Sequence, residues 1–290
     1  MNNVNDIVFE VYKGVLEMDY SKNNHNNLRD KLKKLFRYIL SGYIFQVKKA
    51  KQEMLKLNVF RPTENVYNNV KFAIYTVSTG KYDDIKEPIF IDKDIDYFVF
   101  TEQSIKSDSI WKRREIPEKL KKLPSLDQAR YIKTHPHEFF GEYDYSMFID
   151  GNIRITCDIK PLLYTMIDEK KVIAIHKHQV RNCIYDEAKA IYAAGKAKKK
   201  MLIGQMEKYR KDEFPANFGL FETNIVIRKH NDIECKKIMK DWWNEMNIWT
   251  KRDQLSFTYS LWKNDKTADY ILSLGNNSRR NPFFIVDSHK

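Results

Sequence analysis

Residues 143–155, YDYSMFIDGNIRI, run apolar, stop at Asp150-Gly-Asn152 and then resume. A buried strand has no use for an unpaired carboxylate, because taking one out of water is costly unless its pKa shifts. Asp150 and Asn152 sit two apart across a glycine, so both side-chain oxygens can face one hard cation, Mg2+ or Mn2+, that carries a diphosphate. The bland alternative is a strand-to-turn junction, since Asp-Gly and Gly-Asn are common turn pairs. No glycine loop cradles phosphate here: VSTGKYDD is neither a P-loop nor a dinucleotide fingerprint. Phosphate must then be held by cationic side chains or by a metal.

Several other groups have the right chemistry. Arg130 and Lys133, three apart in ARYIKT, share a helix face and offer cations to phosphate or simply to solvent. His176, Lys177, His178 and Arg181 in AIHKHQVR can contact a sugar or a phosphate. Two histidines at i, i+2 on a strand share a face, which makes a zinc pair the rarer alternative. In FETN, Glu222 ends an extended segment and Asn224 adds an amide; in RDQ, Asp253 opens a helix beside Gln254. A carboxylate in such a place can take the proton of an attacking hydroxyl. Asp253 is the first choice and Glu222 the second, although a helix N-cap would also explain Asp253.

Positioning these groups requires a particular architecture. KFAIYTVS (71–78), IDYFVFTE (95–102), YSMFIDG (145–151), VIAIHKH (172–178) and LFETNIVIRKH (220–230) read as strands. Helices are expected over 124–140, with Ser125 or Asp127 near the N-cap, over 190–214, through DIECKKIMKDWWNEM, and over 251–263. The closing PFFIVDSHK reads as extended. Alternation of this kind predicts an α/β fold with a doubly wound, mostly parallel sheet and flanking helices. Such sheets bind ligands at the carboxyl ends of their strands. Polar residues collect there: Thr76 and Ser78, Thr101 and Glu102, Asp150 and Asn152, His176 and His178. Four polar strand ends in succession describe a cleft. Trp242, Trp243 and Trp249 read as core rather than as sugar platforms.

Residues 1–65 differ in texture and form a basic helical extension to the domain of 66–290. Leu32, Leu35, Phe36, Ile39 and Leu40 lie at helical spacing among lysines, and Pro62 marks a connector. That extension suits packing on the domain or a contact with an anionic membrane. The chain has 290 residues and a formal charge of +12, a balance that fits nucleic acid, a membrane surface or a phosphorylated substrate. No finger, RNP or helix-turn-helix pattern is present, so nucleic acid is set aside. Cys157, Cys183 and Cys235 lack metal spacing and read as reduced thiols. The opening MNNVNDIVFEVYKGV has no signal-peptide pattern. A cytoplasmic location follows as an expectation, peripheral at the inner face of a membrane if the extension lies on lipid.

Six ordered blocks, FAIYTVSTGKYDDIKEP, DIDYFVFTE, ARYIKTHPHEFF, YDYSMFIDGNI, GLFETNIVIRKHND and KRDQLSFTYSLW, resemble the glycosyltransferase-like family that includes plant pectin and mucilage biosynthesis proteins and many bacterial members. The resemblance implies a GT-A fold, a UDP-linked sugar donor, and transfer to a glycan, lipid-linked or other hydroxyl acceptor. It casts Asp150-Gly-Asn152 as the D-x-D metal segment for Mn2+ or Mg2+, with a neutral Asn152 in the second position. His289 becomes a late third ligand, and Arg130 and Lys133 become diphosphate partners. Thr76 and the Tyr82-Asp83-Asp84 turn take the nucleoside side, with Tyr82 stacking on uracil, and Thr101 is a further donor-binding residue. Two rivals stand beside this reading: a nucleotidyltransferase, and a non-catalytic glycan- or membrane-binding protein.

Overall fold

A computed structural model describes residue 67 and residues 69–80, 84–275 and 277–288. The basic extension with its expected helices, the 65/66 boundary, Tyr82, Asp83 and His289 lie outside them. The strands are β1 (Phe72–Ser78), β2 (Asp96–Thr101), β3 (Lys112–Arg114), β4 (Tyr145–Ile149), β5 (Ile153–Ile155), β6 (Ile173–Lys177), β7 (Phe221–Arg228), β8 (Ile271–Ser273) and β9 (Phe284–Val286). Seven form one sheet in the order β3-β2-β1-β4-β7-β6-β8, while β5 and β9 pair separately. All neighbours in the large sheet are parallel except β7, which is antiparallel to both β4 and β6. The α/β, mostly parallel fold class expected from the sequence is therefore the one observed.

Continuous apolar runs arise because the sheet is covered on both faces. On one face Ile74, Met147, Ile149 and Ile225 pack with Leu163 and Met166 of α2 (Lys160–Asp168). On the other, Tyr75, Phe98 and Phe148 pack with Ile132 of α1 (Ser125–Thr134). Farther along, Ile175 and Val226 lie under Ile238, Met239 and Trp242 of α5 (Ile233–Ile248) and under Phe257 and Leu261 of α6 (Asp253–Lys263). Between β6 and β7 the chain adds α3 (Ile184–Ala193) and α4 (Lys199–Lys211), which pack on Leu255 and Tyr259 of α6. Each fully buried Ile, Leu or Phe contributes about 1.5–3 kcal/mol by leaving water. A core of this size lets the sheet's edge carry unfavourable charge.

The structure corrects several expectations. The helix expected over 124–140 ends at Thr134, and Pro136 opens a short 3-10 turn instead, because proline lacks the N–H and disfavours helix in the residue before it. Its N-cap is Pro124, with no side-chain cap from Ser125 or Asp127. The helix expected over 190–214 is two helices, parted at Gly195, whose φ is +64°. Trp242 is fully buried and Trp243 half-buried. Trp249 packs so closely on Gly204 of α4 that a Cβ there would meet its ring at 3.0 Å. All three cysteines are free and buried. Among the described residues, no helix is long and apolar enough to cross a membrane.

Candidate active site

Chain order runs outward from β1 to β2 and β3, then returns across β1 to β4, so the carboxyl ends of β1 and β4 flank the switch in winding. The turn after β1 carries Gly80 at φ +65°, where a Cβ would meet Ser125 Oγ at 2.8 Å. Thr79 Oγ1 donates to Ser125 O at 2.8 Å. The start of α1 is thereby fixed against the end of β1.

Asp150 follows β4 directly. Its N–H donates to Asn224 O of β7 at 2.9 Å, and Ile153 N closes a turn on Asp150 O at 2.9 Å. The carboxylate remains 41% exposed and faces Lys133 Nζ at 3.8 Å. Lys133 itself is 5% exposed and bonds to Asp253 Oδ2 at 2.7 Å. Its ammonium passes 4.8 Å from the Phe148 ring centre and 5.5 Å from that of Trp242, contacts that favour a cation. Its main chain is held as firmly: Lys133 O accepts from Arg228 Nη1 at 2.6 Å and from Tyr75 OH at 3.0 Å. One lysine thus joins two carboxylates from distant parts of the chain.

Asp253 begins α6, where the helix N-terminus favours an anion. Its Oδ1 accepts from Gln254 N at 3.1 Å, and its carbonyl accepts from Trp242 Nε1 at 2.9 Å. Burial alone would push its carboxyl up. The charges of Lys133 and Arg130, with hydrogen bonds from Lys133 and Thr223, outweigh that and hold it well below the usual carboxylate range. An acid that strong is a weak base.

Arg130 lies one turn before Lys133 and donates through Nη2 to Lys251 O. Its Nε and Nη1 are buried without a hydrogen-bond partner, as is Arg252 Nε. Burial pushes the Arg130 guanidinium down, against Asp253 and Asp127. Buried donors without partners are costly, and these point to an anion as what completes the cluster.

Because β7 runs antiparallel, Glu222 stands near its beginning rather than at the end of a segment, and so at the same sheet edge as the carboxyl ends of β4 and β6. Glu222 Oε2 accepts from Ser278 N at 3.0 Å and Ser278 Oγ at 2.9 Å, while Asn224 Nδ2 donates to Ser278 Oγ at 2.7 Å. Asn224 Oδ1 and the Thr76 Oγ1 of β1 are buried without partners.

Other expected residues sit elsewhere. Asn152 is buried, and its Nδ2 donates to Asp287 O at 2.8 Å, just beyond β9. Thr101 is fully buried and accepts from Gln103 N at 3.0 Å, which closes a turn. Gln254 enters the cluster through its backbone. His176 and His178 do not form a pair: a bulge falls between Ile175 and His176, and β6 ends at Lys177, so the two-residue alternation is broken. His176 lies in the core, 2.8 Å from Asn281 Nδ2, and burial pushes its ring down to about 4. His178 Nδ1 accepts from Val180 N and Arg181 N at 3.2 and 3.0 Å, and Arg181 Nε donates to Glu187 at 2.5 Å. Those contacts shape the entry to α3.

Among the described residues, no group of three or more His, Cys, Asp or Glu side chains is arranged to hold a metal ion. The partly exposed Asp150 carboxylate fits a cation shared with a diphosphate, the way Mg2+ is usually held, and not a cation caged by protein alone. Reasoning from sequence places Arg252 beside Asp253 in RDQ without giving it a role, and misses Thr223, Ser278 and Arg228. Only Arg228 leaves a sign, as a charge closing the apolar run NIVIR.

The model of the TOD1/MUCI70, glycosyltransferase-like domain family matches residues 39–289. A curated relative, "Probable hexosyltransferase MUCI70" of Arabidopsis thaliana, is 25% identical over 240 residues, covering 72% of this chain and 40% of its own length. The chain thus spans well under half of that relative. Solved structures that align with parts of this chain include core-mannan synthase A of Aspergillus fumigatus in its Mn/GDP form, at 9% identity, 69% of this chain, 72% of that one and a TM-score of 0.42. Mouse xyloside xylosyltransferase 1 has 9% identity, 71% and 85% coverage and a TM-score of 0.43. This chain belongs to the TOD1/MUCI70 glycosyltransferase-like domain family.

Proposed function

We propose that this domain transfers a sugar from a nucleotide-sugar donor, UDP-linked, to the hydroxyl of a glycan or lipid-linked acceptor. The observation that carries the reading is Arg130, with two buried guanidinium nitrogens lacking partners one turn from Lys133 and near Asp150 and Asp253. A diphosphate would satisfy those donors and balance their charge. During transfer the bond from the anomeric carbon to the diphosphate oxygen breaks, and its electron pair leaves on that oxygen. The acceptor oxygen bonds to the carbon and gives up its proton. Arg130 and Lys133 stabilise the charge that builds on the departing diphosphate. A divalent cation held by Asp150 would add to that neutralisation when bound.

The carboxylates take separate roles in this reading. Asp253, held strongly acidic, is an anion that positions Lys133 rather than a proton acceptor. Glu222 becomes the acceptor-side base where the chemistry needs one.

The test is Asp150→Ala. Its carboxylate is 41% exposed and Lys133 keeps its 2.7 Å bond to Asp253, so the melting temperature should barely change. Donor hydrolysis and transfer should fall by about a hundredfold or more, the several kcal/mol that metal-assisted charge neutralisation supplies. Wild-type turnover in that variant would overturn the assignment. A thermal-shift screen of UDP and GDP with Mn2+ identifies the nucleotide, and indifference to both would favour a non-catalytic binder.

A further inference from the structure

The corner between α3 and α4 is exposed and closed by two backbone hydrogen bonds. Gly195 N donates to Tyr192 O at 2.9 Å and Lys196 N to Ile191 O at 3.0 Å, with Gly195 at φ +64°. These are the paired bonds of a Schellman ending. Lys196, Lys198, Lys199 and Lys200 follow, all exposed. None of the four forms an ion pair with another described residue. Lys199 Nζ stands 5.7 Å from the ring centre of Tyr192, which is 51% exposed. Ile203, one turn beyond Lys199, is 44% exposed. The buried face of α4 is instead made by Leu202, Met206 and Tyr209.

Folding does not explain this arrangement. Lys199 and Lys200 occupy the first turn of α4, which holds no acid, and a cation there opposes the helix dipole. An exposed isoleucine beside lysines that form no ion pair with a described residue gains nothing from the fold either. Lipid headgroups account for the lysines, and the acyl boundary accounts for the two apolar side chains. Nucleic acid would draw the lysines but offers Ile203 nothing to enter. We infer that the corner of residues 192–203 is a docking surface for an anionic lipid bilayer.

The full chain is sedimented with phosphatidylcholine vesicles, with and without phosphatidylserine. Binding is expected only with phosphatidylserine, and weaker as salt rises. Changing Lys196, Lys198, Lys199 and Lys200 together to Ser should weaken it roughly fivefold per lysine, several-hundredfold in all. Tyr192→Ser with Ile203→Ser should weaken it by a smaller factor. Neutralising Lys48, Lys49 and Lys51 of the N-terminal extension should leave most of it. The inference is overturned if the wild type shows no preference for anionic vesicles or if the quadruple variant binds as tightly as wild type. It also fails if only the Lys48, Lys49 and Lys51 variant loses binding, or if the Tyr192/Ile203 variant is undiminished. Tyr192, Lys196, Lys198, Lys199, Lys200 and Ile203 are all exposed, and an unchanged thermal melt confirms folding in every variant.

Discussion

Two polar clusters in this fold differ in closure. Under α6, Gln205 Nε2 donates to Tyr209 OH at 2.9 Å, Tyr209 OH donates to Glu245 Oε2 at 3.1 Å, and Thr250 Oγ1 donates to Gln205 Oε1 at 2.7 Å. Tyr209 stacks on Tyr259 at 3.8 Å, and Tyr259 in turn bonds to Asp212. No buried side-chain nitrogen or oxygen of Gln205, Tyr209, Glu245, Thr250 or Ser256 lacks a partner. At the sheet edge the opposite holds: Arg130 Nε and Nη1, Arg252 Nε, Thr76 Oγ1 and Asn224 Oδ1 are all buried and unpaired. A satisfied network specifies a unique core. An unsatisfied one costs stability, and a ligand, an ion or a water can complete it. On the proposed function, the contrast separates what holds this domain together from what binds the donor.

The sharpest way to break the comparison is Lys133→Ala. This side chain is 5% exposed and serves both Asp253 and Asp150. Its removal leaves a half-buried carboxylate without its cation, an expected loss of about 3–5 kcal/mol in denaturant unfolding, together with loss of UDP binding. Glu245→Gln keeps an oxygen to accept from Tyr209 and should cost about 1 kcal/mol, with UDP affinity unchanged. If Glu245→Gln abolished nucleotide binding and Lys133→Ala did not, the two clusters would have exchanged roles.

Their pH dependence should also run in opposite directions. Asp253 has its folded pKa lowered, so the stability it contributes is present above the unfolded carboxylate value and lost as pH falls below it. Glu245 has its folded pKa raised by burial, against hydrogen bonding from Tyr209. Its carboxyl favours the folded state most at low pH, and that contribution is lost as pH rises through the raised value. Unfolding midpoints measured from about pH 3 to about pH 7 should therefore lose part of their acid-side fall in Asp253→Asn. In Glu245→Gln they should lose part of their decline on the other side. Parallel profiles in the two variants would contradict both assignments.

Much of the fold is legible in the sequence because the sheet is buried on both faces, which turns β1, β2, β4 and β6 into unbroken apolar runs with polar endings. The short β3, of sequence KRR, has no such signature, and its partner β2 alone makes it a strand. The direction of β7 is likewise invisible, since alternation along a strand carries no arrow. Arg130, Lys133, Asp150 and Asp253 are each recognisable by type. What no local pattern reveals is that Lys133 bridges Asp150 to Asp253, 120 residues away. The histidines mislead for a related reason: spacing predicts a shared face only while the strand stays regular, and the bulge at Ile175/His176 ends that. Arg228 is missed although a charge at the end of NIVIR ought to prompt a search for its partner.

The mildest expected effects come from one substitution made in both clusters. Thr250→Val removes the hydroxyl that donates to Gln205 Oε1 at 2.7 Å and leaves a fully buried amide oxygen unpaired, a loss of about 1–3 kcal/mol. Thr76→Val removes a hydroxyl that has no partner to lose, and replaces it with a methyl group of similar shape. Stability should stay level or rise by up to about 1 kcal/mol. If Thr76 serves the nucleoside end of the donor, UDP affinity should drop at the same time, by the roughly 1 kcal/mol of a single neutral hydrogen bond. Calorimetry with and without UDP reads both quantities on one sample. A Thr76→Val protein that melts lower than wild type and binds UDP unchanged would mean that this hydroxyl belongs to the fold, and the boundary between the open and the closed cluster would move one strand further from Asp150.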